Sequence, residues 1–188
     1  MSEMARSAWA VAPVLAAGLV HVAVLKTNAL SQLAIPLDRG RIWRGRPLLG
    51  PNKTWRGLLV MPLATAVAVR IQVGLECKHP RLAALSVIDR RRVGPWCEGA
   101  LLGLAYIGAE LPNSFVKRRL GIPAGGQAPR LAGALQYLVD QSDSVVGCLL
   151  MLRALGRPTP RLVLAAGAIG LWTHIAVDGL MRMIRVRR

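Results

Sequence analysis

The chain has 188 residues, of which 53% are hydrophobic, and it carries a formal net charge of +16 at pH 7. Its mean hydropathy of +0.41 is too high for a soluble domain that is this basic. Apolar segments of about 17–20 residues separated by basic loops are instead typical of a small polytopic membrane protein. Aromatic residues suited to stacking bases are only 4% of the chain, so the charge indicates anionic lipid and phosphate rather than nucleic acid.

The sequence predicts an all-α integral membrane protein with one domain, residues 1–188, built as a bundle of about five transmembrane helices. The predicted spans are residues 9–25, 58–75, 97–111, 135–151 and 161–177. Two long polar segments rich in Gly, Pro and basic residues, 26–56 and 112–133, separate them and are predicted to be loops.

The distribution of Lys and Arg predicts which side of the membrane each loop faces. With five spans, more of these residues fall on the side of the two polar loops and the carboxyl terminus, which favours a cytoplasmic location for all three. The basic run Arg90–Arg92 lies on the other side and argues against a simple crossing, so this segment is expected to dip back into the interface.

The first polar loop ends in a run of groups suited to binding phosphate. Asn52, Lys53, Thr54 and Arg56 precede or begin a predicted helix, and helix amino termini favour anions because free N–H groups and the dipole point at them. The spacing of a Walker A loop is absent, which disfavours a soluble NTPase mechanism. Alone, such a basic run is more often an anchor that binds lipid headgroups.

A second set of polar and cationic residues lies in the other predicted loop. Its members are Asn113, Ser114, Lys117 and Arg118. With the same orientation, both loops lie on the side of the membrane where the fourth span begins. Two basic segments that converge on one place favour a phosphate site over two separate membrane anchors.

Two carboxylates stand in the first half of the fourth predicted span, which reads LQYLVDQSDSVVGCLLM. Asp140 and Asp143 are three residues apart, so they share one face of a helix. An ionisable residue inside a membrane span normally faces a polar cavity and has a function, and two oxygen ligands beside basic loops suit a Mg²⁺-bound phosphate. The alternative is a polar helix-packing patch that includes Gln141 and Ser144.

A Mg²⁺-nucleotide reaction at the membrane surface would use these residues in definable roles. Asp140 and Asp143 would hold Mg²⁺, while Lys53, Arg56, Lys117 and Arg118 would clamp the phosphates of two substrates. We predict Asp140, Asp143 and Lys117 as the catalytic residues. Because positioning and charge stabilisation carry most of such catalysis, a lipid phosphate can itself attack the nucleotide and expel pyrophosphate.

Three blocks in order carry a resemblance to a known family: PLDRGRIWRGRPLLGPNKTWRG, LPNSFVKRRLGI and LVDQSDSVVG. Together with Asn28 and the pair Thr173-His174, they resemble the CDP-archaeol synthase family, small relatives of the CDP-diacylglycerol synthases. The resemblance implies a five-helix enzyme of the cell membrane that transfers CMP from CTP to a lipid phosphate with Mg²⁺. It also implies metal-binding acids at Asp140 and Asp143 and substrate contacts at Asn52–Arg56, Asn113–Arg118 and Asp38.

The sequence departs from the family pattern near its end. Asp178 stands where the family has Asn, and an Arg-rich tail replaces the usual ending. The acceptor is therefore left open between the unsaturated archaeal ether-lipid phosphate usual for the family and a phosphatidate-like lipid.

Two other classes of protein are alternatives. A CDP-alcohol phosphatidyltransferase would carry a longer acidic motif, which the chain lacks. A non-catalytic membrane protein, transporter-like or a degenerate relative, would bind anionic lipid or phosphate, but a transporter is expected to show an internal repeat. Among residues left outside the predicted site, Glu110 is expected at the interface and His174 is expected to pair with Asp178.

Overall fold

The structure, a computed structural model, describes residues 2–90 and 92–183. The elements are α1 (Glu3–Lys26), β1 (Ile42–Trp43), β2 (Arg46–Pro47), α2 (Trp55–Lys78), α3 (Pro80–Ala83), α4 (Pro95–Arg119), α5 (Arg130–Leu155) and α6 (Pro160–Met183). A single 3-10 turn, Ser31–Leu33, follows α1. The predicted all-α class is confirmed, with one short hairpin added to it.

Five long helices form the bundle, and each contains one of the five predicted spans. They have 24 to 26 residues each, which corresponds to about 36–39 Å at 1.5 Å per residue and exceeds the hydrocarbon thickness of a bilayer. Among the described helices, α1, α2 and α6 are also apolar enough to cross a membrane. The helices α4 and α5 are more polar because they carry the charged residues of the candidate site.

The prediction of a loop over residues 112–133 was wrong for its first part. The helix α4 continues to Arg119 and has Pro112 in its interior. These last two turns are polar, and polar residues alone do not distinguish a loop from the end of a helix that leaves the apolar region. Because they are helical, Asn113 and Lys117 lie four residues apart on one face.

The first polar loop is ordered as a hairpin rather than irregular. Ile42 pairs with Pro47 and Trp43 with Arg46. Arg44 and Gly45 between the strands both have positive φ, 51° and 75°, as the two-residue turns that best fit a twisted hairpin require. At the loop's end, Thr54 caps α2 by accepting a hydrogen bond from the Gly57 amide.

Glycines bring the central helices into close contact. A Cβ on Gly103 of α4 would lie 2.5 Å from the Pro62 Cα of α2, and a Cβ on Gly147 of α5 would lie 2.5 Å from the Ala105 oxygen of α4. Small residues of this kind let membrane helices pack backbone to backbone. They hold α4 between α2 and α5.

The segment after α3 folds back into the end of the bundle that lies opposite the hairpin. Arg90 donates to Glu98 at 3.0 Å and to Gln72 at 2.8 Å, and it also pairs with Glu76. Glu98 is 3% exposed, so this arginine neutralises acids that α2 and α4 bury. Arg91, the middle of the predicted basic run, lies outside the described residues.

Candidate active site

The two acids of α5 meet the last turns of α4. The Asn113 Nδ2 atom is 2.7 Å from Asp140 Oδ1 and 2.7 Å from Asp143 Oδ2, so one amide group joins both carboxylates. The Lys117 Nζ atom lies 2.7 Å and 2.9 Å from the two oxygens of Asp140. Four residues of the predicted site are thus in direct contact.

A third carboxylate, Glu110, belongs to the same face of α4. It lies three residues before Asn113 and seven before Lys117, and it forms an ion pair with Lys53 from the first polar loop. Sequence reasoning left Glu110 outside the site because it was placed at a membrane interface. The helical spacing of Glu110, Asn113 and Lys117 would have revealed it, had residues 112–119 been predicted as helix.

Asp38 holds the first polar loop in shape. Its Oδ1 accepts the Gly40 amide at 2.9 Å, and its Oδ2 accepts the amides of Leu49 and Gly50 at 2.8 Å and 3.1 Å. Burial of this carboxylate raises its pKa, but the amide hydrogen bonds outweigh burial and the pKa lies below its usual value. Asp38 was predicted to contact substrate; the contacts found are with the backbone that leads into Lys53.

The remaining loop residues surround the start of α2. Thr54 is the helix cap and Asn52 is exposed beside it. Arg56 donates to the Asn28 side chain at 3.1 Å and to the Ala29 oxygen at 3.2 Å, which ties the segment after α1 to α2. Within the described residues, its hydrogen bonds go to that segment rather than to the acids.

Arg118 and Ser114 are buried on a second face of α4, at 7% and 5% exposure. A Cβ on Gly50 would lie 3.5 Å from an Arg118 guanidinium nitrogen, so the glycine lets the first loop pass close to this side chain. The Arg118 Nε atom is buried and makes no hydrogen bond among the described residues. Arg118 therefore brings a buried positive charge close to the first loop.

Arg119 fastens the hairpin to the end of α4. Its guanidinium donates to the Trp43 oxygen at 2.5 Å and to the Arg46 oxygen at 3.0 Å. It also lies over the rings of Trp43 and Phe115, which stack with their centroids 5.8 Å apart. The hairpin is therefore held against the carboxyl-terminal end of α4.

The chemistry of the acid pair fits a divalent cation. Hard cations such as Mg²⁺ use one or two carboxylates and complete their coordination with water and substrate phosphates. Asp140 and Asp143 supply two such carboxylates close enough to share one amide donor. Among the described residues, no group of three or more His, Cys, Asp and Glu is arranged as a metal centre. The remaining ligands would have to come from substrate and water.

Comparisons with known proteins agree with this arrangement. Residues 14–182 match the family described as CarS-like, CDP-archaeol synthase. The CDP-archaeol synthase of Methanosphaerula palustris is 37% identical over 123 residues, which cover 62% of this chain and 62% of that protein. That of Aeropyrum pernix is 31% identical over 175 residues, covering 90% and 88%.

A solved structure is also similar. It is described as "Structural insight into an intramembrane enzyme for archaeal membrane lipids biosynthesis", and it matches with a TM-score of 0.61 and 29% identity over 91% of each chain. The fold and the site define an all-α integral membrane protein with a carboxylate pair beside the basic end of α4. The family match covers most of the sequence, and the chain belongs to the CDP-archaeol synthase family.

Proposed function

We propose that the protein is a CTP-dependent cytidylyltransferase that converts a membrane lipid phosphate into a CDP-lipid. The observation that carries the proposal is the contact of Asn113 and Lys117 with the paired acids. Membership of the CDP-archaeol synthase family supports the same reaction. An oxygen of the lipid phosphate attacks the α-phosphorus of CTP, the bond to the β-phosphate oxygen breaks, and pyrophosphate leaves.

The acid pair is proposed to hold Mg²⁺, which would neutralise charge on the phosphate oxygens when bound. Asn113 holds the two carboxylates together on one face. Lys117 of α4 pairs with Asp140, and Lys53 of the first loop pairs with Glu110, so both lysines bring positive charge to this region. Glu110 keeps the Lys53 ammonium near the acids before an anionic substrate arrives.

The first loop is proposed to receive the phosphates of the nucleotide. Thr54 and the amino-terminal turn of α2 border this loop, and the positive end of the helix dipole favours anions there. Asn52 lies exposed beside them. Arg118 approaches from α4 at Gly50, and Ser114 precedes it by one turn on the same helix. Asp38 supports this surface through three backbone amides, and Arg56 supports it by fixing α2 to the segment after α1.

The acceptor is proposed to be an ether-linked archaeol-type phosphate, because the curated relatives are CDP-archaeol synthases. A phosphatidate-like ester is the alternative. We further propose that all five long helices cross the membrane and that the site faces the cytoplasm, where CTP is available.

Transfer of labelled CMP by the purified protein tests this proposal. The protein in detergent receives CTP labelled on its α-phosphate, Mg²⁺, and either an ether-linked or an ester-linked lipid phosphate. A labelled CDP-lipid with stoichiometric pyrophosphate is the expected result, and the faster acceptor identifies the lipid class. Bound CTP without product from either acceptor would contradict the proposed reaction.

A further inference from the structure

A partly buried polar cluster lies beside the acids and links three helices. Its centre is His174 of α6, whose Nε2 atom is 2.7 Å from the Tyr106 hydroxyl of α4 and 3.1 Å from the Ser144 hydroxyl of α5. The His174 Nδ1 atom is 3.0 Å from the Gln141 side-chain oxygen of α5. The reaction described above assigns no role to this cluster.

Each nitrogen of the His174 ring faces polar groups of other helices. The Nδ1 atom faces the Gln141 side-chain oxygen of α5, and the Nε2 atom faces the hydroxyl groups of Tyr106 and Ser144. The ring therefore joins polar groups from both α4 and α5. Ser144 and Gln141 are almost completely buried, at 0% and 3% exposure.

The cluster is placed where it controls the geometry of the acids. Gln141 and Ser144 each follow an acid directly in sequence, and the Ser144 amide donates to Asp143 Oδ1 at 2.6 Å. On α4, Tyr106 lies four residues before Glu110 and seven before Asn113. The rotation of α5 relative to α4 therefore decides whether Asn113 reaches both carboxylates.

We propose that His174 is a positioning residue that fixes α5 against α4, so that Asp140 and Asp143 face Asn113 and Lys117. This inference rests on the proposed function, since it assigns a role in forming that same site. Glycine packing at Gly147 already sets the distance between the two helices. His174 adds directional hydrogen bonds to both α4 and α5, which close packing alone does not supply.

The test compares His174→Ala with His174→Gln, Tyr106→Phe and the control Thr173→Val. Thr173 is the neighbour of His174, and its hydroxyl bonds only to the Ile169 oxygen of its own helix in the contacts found. The measurements are kcat, the KM for CTP, the Kd of Mn²⁺ from its paramagnetic resonance signal, and the thermal unfolding midpoint. Mn²⁺ serves as the probe because it binds the same oxygen ligands as Mg²⁺ and is observable without turnover.

We expect His174→Ala to lower kcat and to weaken Mn²⁺ binding by about 10–100-fold, as substitutions behind metal ligands commonly do. The KM for CTP should change less than threefold. His174→Gln, which keeps a donor and an acceptor, should recover part of the loss, and Thr173→Val should match the unmodified protein. Tyr106→Phe combined with His174→Ala should lose no more than His174→Ala alone, because both changes remove the same contact.

Two results separate failure of this inference from failure of the proposed function. If Asp140→Asn abolishes activity while His174→Ala leaves kcat and the Mn²⁺ Kd within twofold, the positioning role is overturned and the site stands. If Asp140→Asn is fully active, the proposed site itself is wrong. Loss of kcat in His174→Ala that only parallels loss of folded protein, with no recovery in His174→Gln, would also overturn the positioning role.

Discussion

Asp140 and Asp143 carry like charges on adjacent positions of one helix face, and their contacts explain how they coexist. Two unit charges about 4 Å apart repel by about 4 kcal/mol at an effective dielectric of 20. Asn113 donates to both acids and Lys117 neutralises one of them, so the protein offsets part of this repulsion with its own groups. A bound cation would offset the rest.

Asp38 gives a prediction about the order of the first loop at different pH. Its pKa is lower in the folded protein than in the unfolded chain, so its stabilising effect is fully present above the unfolded pKa of about 3.9. That effect is lost as the pH falls through the folded pKa. Asp38→Asn should remove protection of the Leu49 and Gly50 amides from hydrogen exchange at pH 7.

Hydrogen exchange of a peptide covering residues 38–50, followed by mass spectrometry, measures this effect. The unmodified protein should lose the same protection only below about pH 4. Asp89→Asn is a suitable control because Asp89 is exposed, pairs with Arg92 and lies at the other end of the bundle. Unchanged protection in Asp38→Asn would contradict the structural role of this carboxylate.

At the residue scale, the sequence located the charged groups but did not determine their partners. The acids, Lys117 and Asn113 could be predicted because carboxylates in an apolar span and cations beside it have few other uses. Asp38 was predicted to meet substrate, although its oxygens bond to backbone amides that have no signature in sequence. His174 was predicted to pair with Asp178 one turn away, and its contacts with Tyr106, Gln141 and Ser144 depend on helix packing that a single sequence does not reveal.

At the element scale, hydropathy placed the five helices but misjudged where α4 ends. The apolar part stops near Leu111, yet the backbone remains helical to Arg119, and the site is built on these last two polar turns. The hairpin β1–β2 was also missed. Gly45 suits the positive φ that its turn requires, but Arg44 is not a usual turn residue and Pro47 is rare in strands, so the sequence carries no clear hairpin signal.

Close packing of α4 on α2 gives a prediction about stability. Gly103→Ala would place a Cβ 2.5 Å from the Pro62 Cα, where only backbone movement can relieve the overlap. We expect the free energy of unfolding to fall by about 1–3 kcal/mol and the unfolding midpoint in detergent to be lower. Gly108→Ala on the same helix is the matched control, because a Cβ there meets no atom within 4 Å.

Equal unfolding midpoints for Gly103→Ala and Gly108→Ala would contradict the close approach of these two helices. A glycine in a helix interior is about 0.5–1 kcal/mol less favourable than alanine, so Gly108→Ala is expected to be neutral or stabilising. The sign of the difference between the two variants is therefore as informative as its size.

At the scale of the whole molecule, the two ends of the bundle have different chemistry. One end gathers the hairpin, the first loop and the acid pair, where cations outnumber their partners. At the other end, Arg90 forms ion pairs with Glu76 and Glu98. One member of the basic run that argued against the predicted orientation is therefore neutralised inside the protein. The run is for this reason weaker evidence about which side of the membrane this segment faces.

Cysteine labelling tests the proposed orientation. In a variant that lacks Cys77, Cys97 and Cys148, a single Cys is introduced by Gln127→Cys or by Arg92→Cys, two exposed positions at opposite ends. A membrane-impermeant maleimide applied to intact cells should label only Arg92→Cys, and lysis should expose Gln127→Cys. Labelling of Gln127→Cys in intact cells would place the site on the outer face.

The central claim is that the carboxylate pair of α5 carries CMP transfer, and pyrophosphate release tests it most directly. The unmodified protein, Asp140→Asn, Asp143→Asn and the control Asp89→Asn are assayed with CTP, Mg²⁺ and the preferred lipid phosphate, after their unfolding midpoints have been matched. We predict that both site variants lose at least about 100-fold in kcat, as loss of a group that stabilises developing charge commonly causes, while Asp89→Asn stays within twofold. A folded Asp140→Asn or Asp143→Asn variant with full activity would contradict the account.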